Sequence, residues 1–163
     1  MIRVLLVDDQ ELVRTGLRGI LRARFGFDIV GECADGSEVP AAVEALTPDV
    51  VLMDVRMPVV DGVQATRELR SRDGSPPVLA LTTFDDDEVL AGMLRAGASG
   101  FILKGVTAED LMRAVRWHIA GPGAPDQQSA SDVLGPLRRW CRRVSRRNHR
   151  GAGPRRRTPP EGR

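Results

Sequence analysis

Five side chains that could do chemistry follow short apolar runs in this chain of 163 residues. They comprise two adjacent carboxylates, a third carboxylate, a hydroxyl and an ammonium group, each placed after a run of three or four apolar residues. The residues are Asp8, Asp9, Asp54, Thr82 and Lys104. Because all five follow apolar runs of the same kind, we treat them as one candidate site.

The residue types of this candidate site suit phosphoryl transfer. Carboxylates that are brought together repel one another, and an oxygen-only cluster suits a hard cation such as Mg²⁺ that keeps bound waters. A lysine and a hydroxyl opposite them can bind the oxygens of an anion such as phosphate. These groups together are the parts needed to transfer a phosphoryl group onto a carboxylate. No His or Cys lies near these positions, which argues against zinc chemistry and thiol catalysis.

Each of these residues also has an ordinary structural interpretation. Adjacent acids such as Asp8 and Asp9 after a strand often cap a helix, and Asp54 alone could cap the loop that follows it. Lys104 alone is more often a surface lysine, and Thr82 alone is more often a turn residue. Their shared placement favours the joint site over these separate interpretations.

The apolar runs have the character of strands that are buried on both faces. The run Val50–Met53 is continuous and bounded by turn residues, which is typical of a strand in a parallel sheet. Segments with helical apolar spacing separate the runs, so five strand–helix units fill about 120 residues. This alternation predicts an α/β fold, a doubly wound parallel sheet with right-handed crossovers. Chemistry in such sheets lies outside the carboxyl ends of the strands, where the candidate residues are placed.

The individual elements follow from spacing and turn residues. Asp9 is predicted to cap the first helix, and Gly26 is predicted to end it. The second strand is expected to be shorter and nearer the sheet edge, because its apolar residues alternate with Asp28 and Glu32. Predicted strands cover residues 4–7, 27–33, 50–53, 78–81 and 101–103, and predicted helices cover residues 11–25, 39–46, 62–72, 85–95 and 107–121.

Length and composition limit the class of protein. The length fits one domain plus an appendage. No apolar stretch approaches the ~20 residues of a membrane span, and the N-terminal run is too short for a signal peptide. Cys33 and Cys141 show no metal-binding spacing, so a cytoplasmic protein with free thiols is expected.

Four segments carry a resemblance to a known family. They read VLLVDDQELVRTGL at 4–17, MDVRMPVVDG at 53–62, LTTFDD at 81–86 and RAGASGFILKG at 95–105. Through them, residues 2–121 closely resemble the receiver domain of two-component response regulators, particularly the NarL/FixJ type. The resemblance implies a flavodoxin-like (βα)₅ domain over residues 1–121. It also implies a phosphorelay role, in which the receiver accepts a phosphoryl group from a phosphohistidine on a sensor histidine kinase.

The resemblance implies a role for each matching residue around the phosphoryl group. Asp54 would be the phosphoacceptor. Asp9 and Asp54, with the backbone carbonyl of Arg56, would hold Mg²⁺. Asp8 would assist through a metal-bound water, and Lys104 would pair first with the carboxylate and then with the phosphoryl group.

Further implied roles concern the response to phosphorylation. Thr82 would move to hydrogen-bond a phosphoryl oxygen, and Phe101 would turn inward with it. This movement would bias a surface made of the fourth helix, fifth strand and fifth helix, which partners read and through which two copies could pair. The family context is transcriptional control rather than enzymatic catalysis. Gly105 follows Lys104 where many receivers have a proline, so no cis bond is expected there.

The last 42 residues depart from the family pattern. Residues 1–121 contain 13 basic and 19 acidic residues, a net charge of −6, whereas residues 122–163 contain 11 arginines and three acids, a net charge of +8. Residues 122–131 have the composition of a linker. Residues 132–163 show no recognition-helix motif, so this chain is not expected to read a specific DNA site. One short amphipathic helix followed by disorder is expected in this Arg-rich tail.

Three interpretations of this tail stay open. The first is a truncated or frame-shifted remnant of a lost effector domain, which leaves a stand-alone receiver that acts by protein–protein contact or has no DNA-binding output. The second is a basic arm that binds nucleic-acid phosphates without sequence preference, or an anionic membrane surface. The third is docking of Trp140 and its neighbours on the acidic receiver. The arginines of the second interpretation are Arg138, Arg139, Arg142, Arg143, Arg146 and Arg147.

Overall fold

Five strands alternate with five α-helices in a computed structural model of the chain, which describes residues 1–83 and 87–120. The strands are β1 (Ile2–Val7), β2 (Phe27–Cys33), β3 (Val50–Asp54), β4 (Val78–Thr82) and β5 (Gly100–Leu103). The helices are α1 (Glu11–Ile20), α2 (Val39–Leu46), α3 (Gly62–Arg70), α4 (Asp87–Arg95) and α5 (Ala108–Ala120). Two short 3₁₀ helices flank β2, at Ala23–Phe25 and Gly36–Glu38.

The strands form one parallel sheet in the order β2-β1-β3-β4-β5. All five residues of β3 are buried, as they are in β4, which explains their nearly unbroken apolar sequence. The strand order reverses beside β1, and the carboxyl ends of β1 and β3 are neighbours there. This is the place where parallel α/β sheets bind ligands.

Helices cover both faces of the sheet and define two cores. Residues of α2, α3 and α4, such as Val39, Leu69 and Met93, pack on one face. Residues of α1 and α5, such as Leu17 and Leu111, pack on the other. The predicted doubly wound architecture is therefore confirmed. No helix in residues 1–83 or 87–120 is long and apolar enough to span a bilayer.

The first helix starts at Glu11 as predicted, but the predictions of its N-cap residue and of its last residue are wrong. Gln10, and not Asp9, is the N-cap residue of α1, and no side chain caps that helix by a hydrogen bond. The helix stops at Ile20, since Leu21 leaves helical geometry and is buried in the core. The segment predicted to continue the helix forms the 3₁₀ turn Ala23–Phe25 instead. Gly26 ends that turn in the left-handed region (φ 83°).

The second strand lies at the sheet edge and covers Phe27–Cys33 as predicted, but at seven residues it is the longest of the five described strands, whereas a shorter strand was expected. The other helices agree with the prediction to within two residues at each end. The linker 122–131, the Arg-rich tail 132–163 and its six candidate arginines lie outside the described residues. Asp85 and Asp86, predicted in the first turn of the fourth helix, lie outside them as well.

Candidate functional site

The predicted site residues meet at the carboxyl edge of the sheet. Asp54 ends β3 and Thr82 ends β4, and their side chains lie with Asp9 and Lys104 around one open pocket. Asp8 lies beside them and has no exposed surface, while Asp54 is 5% and Thr82 is 7% exposed. The parallel strands bring together residues that are up to 96 positions apart in the chain. The joint site is thus built by the sheet, as their placement after apolar runs predicted.

Lys104 bridges two of the carboxylates. Its Nζ lies 2.8 Å from Asp8 Oδ2 and 2.9 Å from Asp54 Oδ1. The lysine side chain is 20% exposed, so the pair is shielded from most of the solvent. This contact excludes the interpretation of Lys104 as an ordinary surface lysine.

The charges at this edge are only partly balanced. Burial raises the pKa of the Asp54 carboxyl, and the charge of Asp8 adds to this, although the hydrogen bond from Lys104 acts in the opposite direction. Burial lowers the pKa of the Lys104 ammonium, but its hydrogen bonds to Asp8 and Asp54 and their charges outweigh burial, so its pKa is raised. Lys104 therefore stays charged, but its single positive charge faces two carboxylates, Asp8 and Asp54.

The three carboxylates can supply oxygen ligands to a cation. Asp8, Asp9 and Asp54 each offer one oxygen, and these oxygens all lie within 4.8 Å of one another. Asp8 Oδ2 is buried, and its contact among the described residues is the ion pair with Lys104 Nζ. An all-carboxylate, partly open cluster fits Mg²⁺ better than it fits zinc.

Thr82 and Phe101 lie next to this cluster on adjacent strands. The Thr82 hydroxyl donates a hydrogen bond to the Thr83 carbonyl (2.8 Å). The Lys104 backbone N–H donates to the Thr82 carbonyl (2.8 Å), which ties the two site residues together. Phe101 is buried in the core cluster that contains Leu90. No cis peptide bond occurs in the described residues, as the glycine after Lys104 predicted.

The loop that follows Asp54 is held in place by Asp35, which lies in the turn after β2. Asp35 accepts hydrogen bonds from the backbone N–H groups of Val59 (3.1 Å) and Val60 (3.2 Å). Gly62 N–H donates to the Val55 carbonyl (2.9 Å) and closes the loop. Arg56 lies within this loop, and its exposed side chain is part of the pocket rim.

Sequence reasoning missed three residues that support the site. Gln10 N–H donates to Asp8 Oδ1 (2.9 Å), and Arg14 donates to the Asp8 carbonyl (2.6 Å). Asp35 fixes the loop, as described above. A capping box between Asp35 and Glu38 was visible in the sequence as Asp-Gly-Ser-Glu, but nothing local indicates that Asp35 also contacts Val59.

Comparison with known proteins identifies the class of this fold. The sequence profile of the response regulator receiver domain matches residues 4–116. The chain is 41% identical to the transcriptional regulatory protein LiaR of Bacillus subtilis over 139 residues, which is 85% of this chain and 65% of that protein. It is 39% identical to the DNA-binding transcriptional activator DevR/DosR of Mycobacterium tuberculosis, over 85% of this chain and 64% of that protein.

Solved structures show the same relationship. The signal receiver domain of NarL from Mycobacterium tuberculosis superposes with a TM-score of 0.70 at 34% identity, over 74% of this chain and 98% of that one. The response regulator ChrA of a heme-sensing two-component system gives a TM-score of 0.64 at 36% identity, over 83% of this chain and 65% of that one. The chain spans less than two thirds of the length of LiaR and of DevR/DosR.

Proposed function

Because this chain belongs to the response regulator receiver domain family, we propose that Asp54 accepts a phosphoryl group from a sensor histidine kinase. The observation that carries the proposal is the buried pair of Asp8 and Asp54 on one lysine, with Asp9 beside them. A cluster with three carboxylates and one ammonium group has an excess of negative charge, which favours binding of a divalent cation. Once the cation is bound, the cluster can accept an anion. Only Asp54 in this cluster ends the central strand and faces the pocket.

We propose a transfer in which the ionised Asp54 carboxylate attacks phosphorus. A new P–O bond forms, and the bond from phosphorus to the leaving nitrogen of the donor histidine breaks, so the electron pair stays on that imidazole. Mg²⁺ held by Asp9, Asp54 and the Arg56 carbonyl, with Asp8 acting through water, would neutralise charge on the phosphoryl oxygens. Burial and the charge of Asp8 raise the pKa of the Asp54 carboxyl, and in this proposal the positive charge of a bound cation would favour its ionised form.

Lys104 and Thr82 respond to the new group in this proposal. The Lys104 ammonium exchanges its contact with Asp54 Oδ1 for a phosphoryl oxygen, because the modified carboxylate no longer carries its charge. The Thr82 hydroxyl releases the Thr83 carbonyl and donates to another phosphoryl oxygen. Phe101 occupies the core beside α4, so a shift of Thr82 changes the space that this ring can use. The surface of α4, β5 and α5 is where this change would reach a partner or a second copy of the chain.

The output we propose is the regulation of transcription. LiaR and DevR/DosR are named as transcriptional regulators, which supports this output over a stand-alone receiver that acts by protein contact alone. DNA contact by this chain would depend on residues after 120. We propose that such contact is independent of sequence, since no recognition-helix motif is present there.

Acetyl phosphate with Mg²⁺ tests the proposal directly, with intact mass as the readout. The wild-type chain should gain one phosphoryl group in the presence of Mg²⁺ and none after chelation. Asp54→Asn should gain none, while Asp61→Asn should behave as wild type, because an asparagine at that position can still cap α3. A folded wild-type chain that gains no phosphoryl group, or an Asp54→Asn variant that does, would contradict the assignment.

A further inference from the structure

Arg14 connects the acidic cluster to the neighbouring strand from outside the pocket. Its Nη1 donates a hydrogen bond to the Asp8 carbonyl (2.6 Å), and its Nε donates to Glu32 Oε2 (3.0 Å). The arginine side chain is only 14% exposed. One guanidinium on α1 therefore clamps the end of β1 against β2, using the planar geometry that only Arg offers.

The carbonyl held by Arg14 belongs to the peptide that joins Asp8 to Asp9. That peptide sets the direction in which both carboxylates leave the backbone. Asp8 is also fixed by its own N–H, which donates to the Cys33 carbonyl (3.1 Å), and by Gln10. Asp9 is exposed, and its carboxylate has no hydrogen bond or ion pair with another described residue. The orientation of Asp9 therefore depends on the backbone that Arg14 holds.

We propose that Arg14 is a positioning residue for the divalent cation site. The proposal rests on the proposed function, in which Asp8 and Asp9 help to hold Mg²⁺. Arg14 has two opposite effects on the cation. Its positive charge repels the cation, whereas its grip on the peptide keeps the two carboxylates in a binding arrangement. The structure favours the second effect, because Arg14 holds the Asp8 carbonyl directly while Glu32, which Arg18 shares, offsets part of its charge.

Arg18 offers a matched control on the same helix. It pairs with the same carboxylate, Glu32 Oε1 (2.6 Å), and donates to the Thr15 hydroxyl (2.8 Å). Neither contact involves the acidic cluster. Replacing Arg18 therefore removes one positive charge and one salt bridge to Glu32, but leaves the Asp8 carbonyl held.

Cation affinity measured by electron paramagnetic resonance of free Mn²⁺, with Mg²⁺ as competitor, tests the proposal. Arg14→Gln should bind Mn²⁺ about tenfold more weakly than wild type, the usual scale for groups that orient metal ligands. Arg14→Lys keeps the charge but not the fork of donors, and it should lose a similar amount. Arg18→Gln should stay within about twofold of wild type. Thermal unfolding without divalent cations should show similar midpoints for Arg14→Gln and Arg18→Gln, which would exclude a general loss of structure.

The alternatives give different patterns in this experiment. If charge alone matters, Arg14→Gln should bind more tightly and Arg14→Lys should be unchanged, and either result would overturn the proposal. Equal affinities for Arg14→Gln, Arg18→Gln and wild type would overturn it as well. If Arg14→Gln does not fold, the proposal is tested by comparing Arg14→Lys with Arg18→Gln. Weaker Mn²⁺ binding by Arg14→Lys alone supports it, and equal binding by the two variants overturns it. A wild-type chain that neither binds Mn²⁺ nor is modified on Asp54 would contradict the proposed function itself. Normal binding and modification in all variants would contradict only the role of Arg14.

Discussion

At the scale of single residues, Asp54 combines burial with a charge that its surroundings only partly compensate. Burial raises its pKa above the ordinary 3.8, so the folded chain holds this proton more tightly than the unfolded chain does. Stability is therefore lost as the pH rises from 3.8 through the raised pKa. At neutral pH the ionised carboxylate lowers the free energy of unfolding, in the absence of a divalent cation.

Asp54→Asn should accordingly stabilise the chain. We expect the variant to be more stable than wild type by about 1 kcal/mol at pH 7 without divalent cations, because a buried charge beside Asp8 is removed. The difference should vanish below pH 3.8, where Asp54 is protonated in both states. Urea unfolding at about pH 7 and about pH 3.5 measures this difference.

Added Mg²⁺ provides the control for this substitution. It should raise the unfolding midpoint of wild type and have little effect on Asp54→Asn, since binding to the folded state alone stabilises it. A variant that is less stable than wild type at pH 7 would show that the contact of Asp54 with Lys104 outweighs its burial.

The meeting of the candidate site residues could be predicted because each lies at or just after the carboxyl end of a strand. The order of strands in a doubly wound sheet then brings Asp8, Asp54 and Lys104 together. The contacts of Arg14 with Glu32 and of Asp35 with Val59 could not be predicted, because they join residues 18 and 24 positions apart through side-chain geometry. Spacing along the chain gives no information about such contacts.

At the scale of elements, the boundaries of α1 show where local pattern and tertiary packing disagree. Helical spacing continues through Leu21 to Phe25, which favoured a longer helix. With Leu21 buried in the core, the helix ends at Ile20, five residues earlier. The helix retains two glycines, Gly16 and Gly19, that weaken it locally. The remaining strands and helices were predictable because their apolar runs are bounded by Gly, Pro and Asp turns.

Two glycine substitutions should have opposite effects on stability. A Cβ on Gly62 would collide with the Asp54 carbonyl and lie 2.9 Å from the Val55 Cα, so the start of α3 cannot move away without displacing β3. We expect Gly62→Ala to destabilise the chain by about 2 kcal/mol. Gly16 has no atom within 4 Å of such a Cβ, so Gly16→Ala should stabilise α1 by about 1 kcal/mol.

Urea unfolding of both variants measures these changes on one scale. The two substitutions add the same methyl group, so the difference between them reports the surroundings of each glycine. Equal effects would show that the contact of Gly62 with the Asp54 carbonyl relaxes at little cost. That result would also weaken the view that a tight loop fixes Asp54 at the end of β3.

At the scale of the whole molecule, charge divides the chain into two parts. The receiver carries a net charge of −6 and residues 122–163 carry +8. The negative receiver repels nucleic acid, whereas the positive tail attracts it. The division is a property of the sequence and was fully readable from it. Whether the tail works as an arm is a question about binding.

The basic-arm interpretation makes a quantitative prediction for nucleic acid. If about six arginines contact phosphates, the affinity for a random DNA duplex should fall about a thousandfold between 50 and 200 mM salt. Fluorescence anisotropy with labelled duplexes of unrelated sequence measures this slope, and the sequences should bind equally. Deletion of residues 122–163 should abolish binding. Replacing six arginines with Gln should reduce the slope of log affinity against log salt concentration by about five. These arginines are Arg138, Arg139, Arg142, Arg143, Arg146 and Arg147.

The three interpretations of the tail separate in this measurement. Binding that survives deletion of residues 122–163 would place the contact on the receiver and contradict the arm. No binding by the full chain at about 50 mM salt would favour a remnant, since a charge of +8 in a working arm must attract phosphates at low salt. Docking of the tail on the receiver predicts a third pattern, in which binding appears only after phosphorylation of Asp54 has changed the receiver surface. Anisotropy with and without acetyl phosphate therefore links the charge of the tail to the state of the carboxylate at the sheet edge.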